Sequence, residues 1–154
     1  MHQHVAVIGP GEGATEQDRA DANRAGTLLA EAGVVVITGG QGGVMGAAAL
    51  GALDGDGMSV GLLPSSDRAD GDPAHTVLLP TGLGELRNGL VVRAADVVLA
   101  IGGSWGTLSE VALAVRVGTP VVAVRSWDLP AGSVDLAPDI EVAVASVLRL
   151  LATR

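Results

Sequence analysis

The stretch DVVLAIGGSWGTLSE, residues 96–110, joins an apolar run to a helical pattern through a loop that contains three glycines. A short run made almost wholly of valine, leucine and isoleucine predicts a strand buried on both faces, which is typical of parallel sheets. A strand, a glycine loop and a helix in this order form the repeating unit of an α/β fold. The stretch also raises a question of function, because Glu110 could either cap the helix or serve chemistry beside the loop.

The same alternation continues over the rest of the chain. Six short apolar runs predict strands, at residues 4–9, 34–38, 58–63, 76–80, 96–102 and 120–124. Helical patterns occupy residues 15–33, 43–57, 84–95, 106–118 and 138–154. We therefore predict an α/β fold, a single-domain, doubly wound, Rossmann-like parallel sheet flanked by helices over residues 1–154. Pro138 is expected in the first turn of the last helix, where its missing N–H has no cost.

Composition excludes several classes of chemistry. The chain has 154 residues, a net charge of −8 and no cysteine, and all nine of its basic residues are arginine. Nucleic acids and membrane surfaces attract clustered lysine and arginine, so we expect neither as a partner. Without lysine, the chain has neither the Schiff base of a pyridoxal-phosphate enzyme nor the lysine of a P-loop.

Location and metal content follow from similar arguments. The apolar runs are too short to span a membrane, and the first residues lack the basic segment of a secretory signal, so the cytoplasm is the expected location. The aspartate pairs lack the ligand count of a calcium loop, and we assign them to solvated turns. We expect no metal and no resident cofactor.

Three glycine-rich segments follow predicted strands, at residues 9–14, 38–46 and 102–110. Ligands of doubly wound sheets bind beyond the carboxyl ends of the strands, where such loops lie. A glycine loop that leads into a helix leaves backbone N–H groups free, and these groups can hold a phosphate without any cationic side chain. We therefore predict a phosphorylated small molecule as the ligand, with loops shaped only for packing as the alternative. The spacing lacks the dinucleotide fingerprint, which disfavours NAD.

Two of these segments, TGGQGGVMG at 38–46 and IGGSWGTLSE at 101–110, together resemble the motif pair of the LOG (Lonely Guy) family. The resemblance implies a Rossmann-like dimer that binds a nucleoside 5′-monophosphate and hydrolyses its N-ribosidic bond to free base and ribose 5-phosphate. The family's other label, lysine decarboxylase, fails here because the chain has no lysine to carry the cofactor. The short length points to a branch that also resembles molybdenum-cofactor carrier proteins, which bind a phosphorylated pterin and catalyse nothing.

The resemblance also implies roles for individual residues. Arg87 and Glu110 match the family's catalytic residues, while Asn88 stands where the family usually has lysine. The residues expected to bind phosphate or nucleotide are Gly39, Gly40, Gly42, Gly43, Met45, Gly102, Gly103, Ser104, Trp105, Gly106 and Thr107.

Several of these residues also have a purely structural interpretation. Thr107 and Glu110 have the spacing of a capping box, in which their side chains satisfy the first amides of a helix. Arg87 could contact phosphate or Glu110 in a bidentate manner, or it could simply be solvated. Trp105 could stack on a ligand, close the loop or contact a second subunit. Met45 has the character of a core residue.

Three functions therefore remain open at the level of sequence. The first is a phosphoribohydrolase, the second is a non-catalytic nucleotide or molybdenum-cofactor carrier, and the third is a ligand-sensing domain without turnover. A homodimer or higher homo-oligomer is expected from the resemblance. The helix around residues 111–118 supports it, because its surface is apolar nearly all round and needs burial.

Overall fold

The computed structural model describes residues 1–154 and contains one seven-stranded, fully parallel sheet with helices on both faces. The strands are β1 (His4–Ile8), β2 (Val35–Thr38), β3 (Ser59–Leu63), β4 (Val77–Pro80), β5 (Val97–Ile101), β6 (Val121–Val124) and β7 (Asp135–Leu136). The helices are α1 (Glu16–Glu31), α2 (Val44–Asp54), α3 (Asn88–Arg93), α4 (Trp105–Val117) and α5 (Ile140–Ala152). The predicted doubly wound α/β fold is confirmed.

The order of the strands locates the crevice of the sheet. The order is β4-β3-β2-β1-β5-β6-β7, so the chain first builds outward from β1 on one side and then returns to its other side with β5. Ile8 near the end of β1 pairs with Ala100 near the end of β5. In a doubly wound sheet this reversal opens a crevice at the carboxyl ends of the two strands. The loops that follow β1 and β5 therefore border it.

Alternation along the strands divides the core into two layers. Val5 and Val7 of β1 face the layer that is covered by α1, α2 and α5. Ala6 and Ile8 of the same strand face the layer covered by α3 and α4. Both faces of the central strands are thus buried, which explains why these strands read as continuous apolar runs. None of the five helices is long and apolar enough to cross a membrane.

Two details at the carboxyl-terminal end differ from the expectations. Pro138 lies outside α5, because the helix begins at Ile140 and the Asp139 carboxylate accepts a hydrogen bond from the Val142 amide at 2.9 Å. The expectation that Pro138 occupies the first turn is therefore wrong.

The sequence analysis also missed β7, an exposed edge strand of two residues that carries no apolar run.

Helices α1 and α2 approach each other closely through small residues. A Cβ atom added at Gly51 would collide with the carbonyl oxygen of Asn23, and one at Gly26 would collide with that of Ala48. These contacts join backbone to backbone, so no side-chain rotation relieves the collision. The glycines in both helices are therefore required by packing.

We expect Gly51→Ala to lower the free energy of unfolding by about 2 kcal/mol, since the added methyl group overpacks the crossing of α1 and α2. The matched control is Gly89→Ala in α3, where a Cβ would meet only Leu113 Cδ2 at an ordinary 3.7 Å. That control should leave stability unchanged or raise it by about 0.5 kcal/mol, because alanine favours helix. Urea unfolding of both variants measures the difference, and equal losses would contradict the close-packing argument.

Candidate functional site

A cleft of about 410 Å³ opens at the carboxyl ends of the central strands, where the strand order reverses. Its walls come from the segments that follow β1, β2, β3 and β4 and from the first turns of α4. This volume lies within the range of ligand pockets, and the place is the one that the doubly wound fold reserves for ligands. The cleft is therefore the candidate site.

Six of the residues predicted from the sequence line this cleft together. They are Met45, Arg87, Ser104, Gly106, Thr107 and Glu110. They come from three separate parts of the chain, and the sheet brings them to one edge. Asn88, which stands where the LOG family usually has lysine, lines the cleft as well.

Part of the 102–107 segment lies away from the cleft lining. The α-carbon of Gly102 faces the carboxylate of Asp18, and that of Gly103 faces the indole nitrogen of Trp127. Trp105 is 77% exposed, and its ring packs against Trp127 with the centroids 4.9 Å apart. A role of Gly102, Gly103 and Trp105 in binding stays a prediction.

Four predicted glycines shape the loop after β2 without lining the cleft. Gly40 and Gly43 have φ angles of +79° and +63°, a region that side chains rarely adopt. A Cβ at Gly39 would collide with the Arg87 guanidinium, whereas Gly42 has open space around it. The conformation and packing of the loop thus favour glycine at positions 39, 40 and 43, and ligand contact by any of the four stays a prediction.

The sequence analysis missed several residues of the cleft. Gly9, Gly11 and Glu12 after β1 line it, and so does Gln41 after β2. The GPGEGA stretch was visible as a glycine-rich segment at the end of a strand. Its position directly opposite the β5 loop follows from the order of the strands, which no local pattern reveals.

Backbone amides without partners are the main hydrogen-bond donors of the cleft. The N–H groups of Gly11, Glu12 and Gln41 have no hydrogen-bond acceptor within the chain. The N–H of Gly106 lies in the first turn of α4, where a helix has no internal acceptor to offer. Donors from three segments thus surround one cleft, an arrangement suited to an anion.

Helix α4 begins earlier than the capping interpretation required. Ser104 is its N-cap, and the Ser104 hydroxyl accepts a hydrogen bond from the Thr107 amide at 3.2 Å. Thr107 is therefore inside the helix and Glu110 lies beyond its first turn, so the predicted Thr107–Glu110 capping box is wrong. Ser104 has the extended backbone of a cap residue and takes this role, although the helix then includes Gly106. Capping does not explain the position of Glu110.

The carboxyl group of Glu110 is buried and has a raised pKa. The residue is only 8% exposed and its carboxyl lines the cleft, where no group of the chain donates a hydrogen bond to it. Burial raises the pKa of Glu110 to about 7, and the positive charge of Arg87 offsets only part of that effect. The group therefore exists in both its neutral and its ionised form near neutral pH.

Arg87 is a buried residue of the cleft lining, and one of its three guanidinium nitrogens is engaged by the backbone while Nε has no partner. Its Nη1 donates to the carbonyl oxygens of Gly39 and Leu62, the second at 2.7 Å, while Nη2 lies 3.4 Å from Gln41 Oε1. Burial lowers the pKa of Arg87, and the charge of Glu110 acts in the opposite direction. The guanidinium and the Glu110 carboxyl feel each other's charge, but no hydrogen bond joins them. Arg87 thus connects the segment just after β2 with the end of β3 through hydrogen bonds.

These features define a Rossmann-like α/β protein. Its cleft is lined by residues with free backbone amides and lies at the switch point of the sheet, where the strand order reverses. The model of the SLOG cluster4 family matches residues 2–147, and the chain belongs to that family. This result confirms the LOG-like resemblance that the glycine motifs predicted.

Similar proteins include two with solved structures. A molybdenum cofactor binding protein from the phototrophic bacterium Rippkaea orientalis is 35% identical, covers 98% of each chain and has a TM-score of 0.93. The molybdenum cofactor carrier protein of Chlamydomonas reinhardtii is 33% identical, covers 99% of each chain and has a TM-score of 0.91. An uncharacterised protein of Archaeoglobus fulgidus is 40% identical over 121 residues, which is 79% of each chain.

Proposed function

We propose that the protein binds a phosphorylated heterocyclic small molecule of the molybdenum-cofactor type and carries it without turnover. The observation that carries this proposal is that three residues lining the switch-point cleft, Gly11, Glu12 and Gln41, have backbone amides without an acceptor in the chain. The two solved relatives, whose names state that they bind or carry molybdenum cofactor, support this choice of ligand class. A phosphorylated pterin joins a phosphate to a flat ring with several N–H donors, and the cleft offers groups for both.

The phosphate would bind to the backbone amides. Arg87 is the one basic side chain in the lining, and its Nη1 already donates to two carbonyl oxygens. Amides at loop and helix starts bind phosphate through partial positive charge and well-placed N–H groups, and they need no cationic side chain. This mode of binding fits an acidic chain that has no lysine.

The ring would bind to Glu110. Its carboxyl group belongs to the cleft lining and has no donor within the chain, so it is available to accept a hydrogen bond from a ligand N–H. An ionised carboxylate accepts two N–H groups in parallel, as on the amino edge of a pterin or a guanine-like ring. Glu110 is therefore proposed as the residue that orients the ring.

Hydrolysis of the N-ribosidic bond of a nucleoside 5′-monophosphate is the second candidate function. The observation in its favour is Glu110, whose pKa of about 7 suits a group that takes up and releases a proton near neutral pH. Arg87 would then offset charge beside it. The hydrogen bonds of Arg87 to the backbone favour the carrier, because they leave this guanidinium little freedom to orient a substrate.

One experiment separates the two functions. The purified protein is titrated anaerobically with molybdenum cofactor released from a donor molybdoenzyme, and it is incubated separately with AMP and with cytokinin riboside monophosphates. Trp127 donates a hydrogen bond to the carbonyl oxygen of Ser104, which lines the cleft, and its ring packs against Trp105. Tryptophan fluorescence is therefore used to follow binding, and calorimetry is used to measure the affinity. We expect saturable binding of the cofactor and no free base on chromatography. Release of base that Glu110→Gln abolishes would instead establish the hydrolase.

The assembly and the location of the protein are also proposals. Leu86 and Leu90 are exposed before and within α3, and Trp105 and Val115 are exposed on the neighbouring α4. Exposed apolar side chains on and beside two adjacent helices support the proposed homodimer or higher homo-oligomer. The cytoplasm stays the proposed location, and the absence of a nucleic-acid partner stays a prediction.

A further inference from the structure

A buried histidine, His75, joins the aspartate-rich segment at residues 65–75, which precedes β4, to the glycine loop after β2. His75 is 8% exposed, and Thr38, at the end of β2, is fully buried. The Nε2 atom of His75 lies 2.5 Å from the hydroxyl oxygen of Thr38, and its Nδ1 atom lies 3.0 Å from the carbonyl oxygen of Asp72. Both ring nitrogens are thus engaged within the protein.

These contacts form part of a closed circuit of hydrogen bonds around Gly40. The amide of Gly40 donates to the Thr38 hydroxyl at 2.9 Å, and the carbonyl oxygen of Gly40 accepts from the amide of Asp72 at 2.9 Å. His75 closes the circuit between Thr38 and Asp72. Gly40 has a left-handed backbone and directly precedes Gln41, one of the residues with an unpaired amide in the cleft. The circuit therefore holds the backbone on which that amide depends.

The circuit is satisfied in only one protonation state of the imidazole. Nδ1 faces a carbonyl oxygen, which only accepts, so Nδ1 must carry the proton. Nε2 is then an acceptor in the neutral ring, and the Thr38 hydroxyl donates to it while accepting from Gly40. A proton on Nε2 could donate to the second lone pair of the Thr38 oxygen, but the hydroxyl hydrogen of Thr38 would then lose its acceptor. At a fully buried site that loss is costly.

We propose that His75 is a positioning residue, which holds the loop of Gly40 and Gln41 in its ligand-binding conformation while its imidazole is neutral. The inference rests on the proposed binding function and deepens it, because it adds a dependence of ligand affinity on pH. Nothing in it requires His75 to touch the ligand, since the residue acts through Thr38 and Gly40.

The surroundings of His75 define the direction of the pH dependence. Burial lowers the pKa of His75 below its ordinary value of 6.5, and the carbonyl and the charge of Asp72 oppose this only in part. Asp72 is the charged group that faces the ring from its own segment, whereas β2 and β3 present Thr38 and Gly61, which do not titrate. The circuit is thus intact at neutral pH. It is expected to open, with loss of affinity, as the pH falls below the ordinary value of 6.5.

Four variants test the proposal with molybdenum cofactor as the probe. His75→Asn keeps a group near Nδ1 and loses the contact with Thr38, and Thr38→Val removes the hydroxyl, so each should weaken binding about tenfold near pH 7.5. His75→Gln places an amide oxygen near Nε2 that can accept from Thr38, and Thr38→Ser keeps the hydroxyl. These two should bind within about threefold of the wild type near pH 7.5. As the pH falls below 6.5, the wild type should lose affinity progressively relative to His75→Gln, which has no imidazole to protonate.

A second measurement needs no ligand. Hydrogen exchange of the Gly40 and Asp72 amides, which donate hydrogen bonds within the circuit, should accelerate about tenfold in His75→Asn and Thr38→Val, but not in His75→Gln or Thr38→Ser. Wild-type protein that binds no cofactor at any pH would overturn the proposed function, and the exchange experiment would still decide the role of His75. Equal affinity and exchange in all four variants, or the same pH dependence in His75→Gln as in the wild type, would overturn the inference.

Discussion

Replacing Glu110 by glutamine is expected to raise the free energy of unfolding by about 3 kcal/mol near pH 8 and by less than about 1 kcal/mol near pH 5. The substitution keeps the shape of the side chain and removes its charge. Because Glu110 is buried in the cleft without a hydrogen-bond donor from the chain, the charge it carries at high pH is a cost to the folded state. The gain in stability therefore grows as more of the carboxyl groups ionise.

The direction of this pH dependence follows from the linkage between protonation of Glu110 and folding. Folding raises the pKa of Glu110 from its ordinary 4.5 to about 7, so between these values the folded protein holds a proton that the unfolded chain has released. Wild-type stability must then fall as the pH rises through this window and level off above it. A shift of this size corresponds to about 3 kcal/mol in full, and near pH 5 only a small part of it has developed.

Urea unfolding of the wild type and of Glu110→Gln near pH 5 and pH 8 measures the effect. The matched control is Glu31→Gln at the exposed end of α1, which should change stability by less than about 0.5 kcal/mol at both pH values. A variant that is less stable than the wild type near pH 8 would show that the Glu110 carboxylate stabilises the fold through a partner. A gain in stability together with a loss of cofactor binding is the pattern expected of a functional residue whose charge is costly to the fold.

The sequence predicted the sheet and helices because their signals are local. Each of the six runs of valine, leucine and isoleucine became a strand, since burial on both faces requires apolar side chains at every position. β7 was missed because Asp135–Leu136 is exposed and its two residues form no pattern. The cap of α4 was placed too late because Thr107 and Glu110 have the spacing of a capping box, whereas Ser104 is the residue that caps the helix.

The candidate site was predicted only in part because its geometry is non-local. The motif after β5 pointed to Ser104, Gly106 and Glu110, which do line the cleft. Strand order decides that the loop after β1 lies opposite them, and strand order has no signature in a single sequence. Thr38 and His75 are 37 positions apart in the sequence, and no local sequence pattern predicts that they are in contact. Similarly, the partners of Arg87 are backbone carbonyl oxygens, which every residue carries.

Filling the cleft is the most direct test of where the ligand binds, and Gly106→Leu is expected to weaken binding of molybdenum cofactor by at least about a hundredfold. Gly106 lines the cleft, and a Cβ there would meet only the Ser104 hydroxyl at 3.8 Å, so a larger side chain enters open space without disturbing the fold. Leucine also favours helix over glycine by about 0.5–1 kcal/mol, so the variant should be at least as stable as the wild type. Loss of binding would then reflect occupied space beside the amides rather than unfolding.

The control for this experiment is Gly13→Leu, because a Cβ at Gly13 has no neighbour within 4 Å and the residue lies outside the cleft lining. Its affinity should stay within about threefold of the wild type, since the added side chain belongs to a residue outside the cleft lining. Titrations followed by tryptophan fluorescence and by calorimetry would compare the two variants at equal protein stability. If Gly106→Leu bound the cofactor as tightly as Gly13→Leu, the phosphate could not lie on the amides at the start of α4. The amides of Gly11, Glu12 and Gln41 would then be the remaining phosphate donors of the cleft.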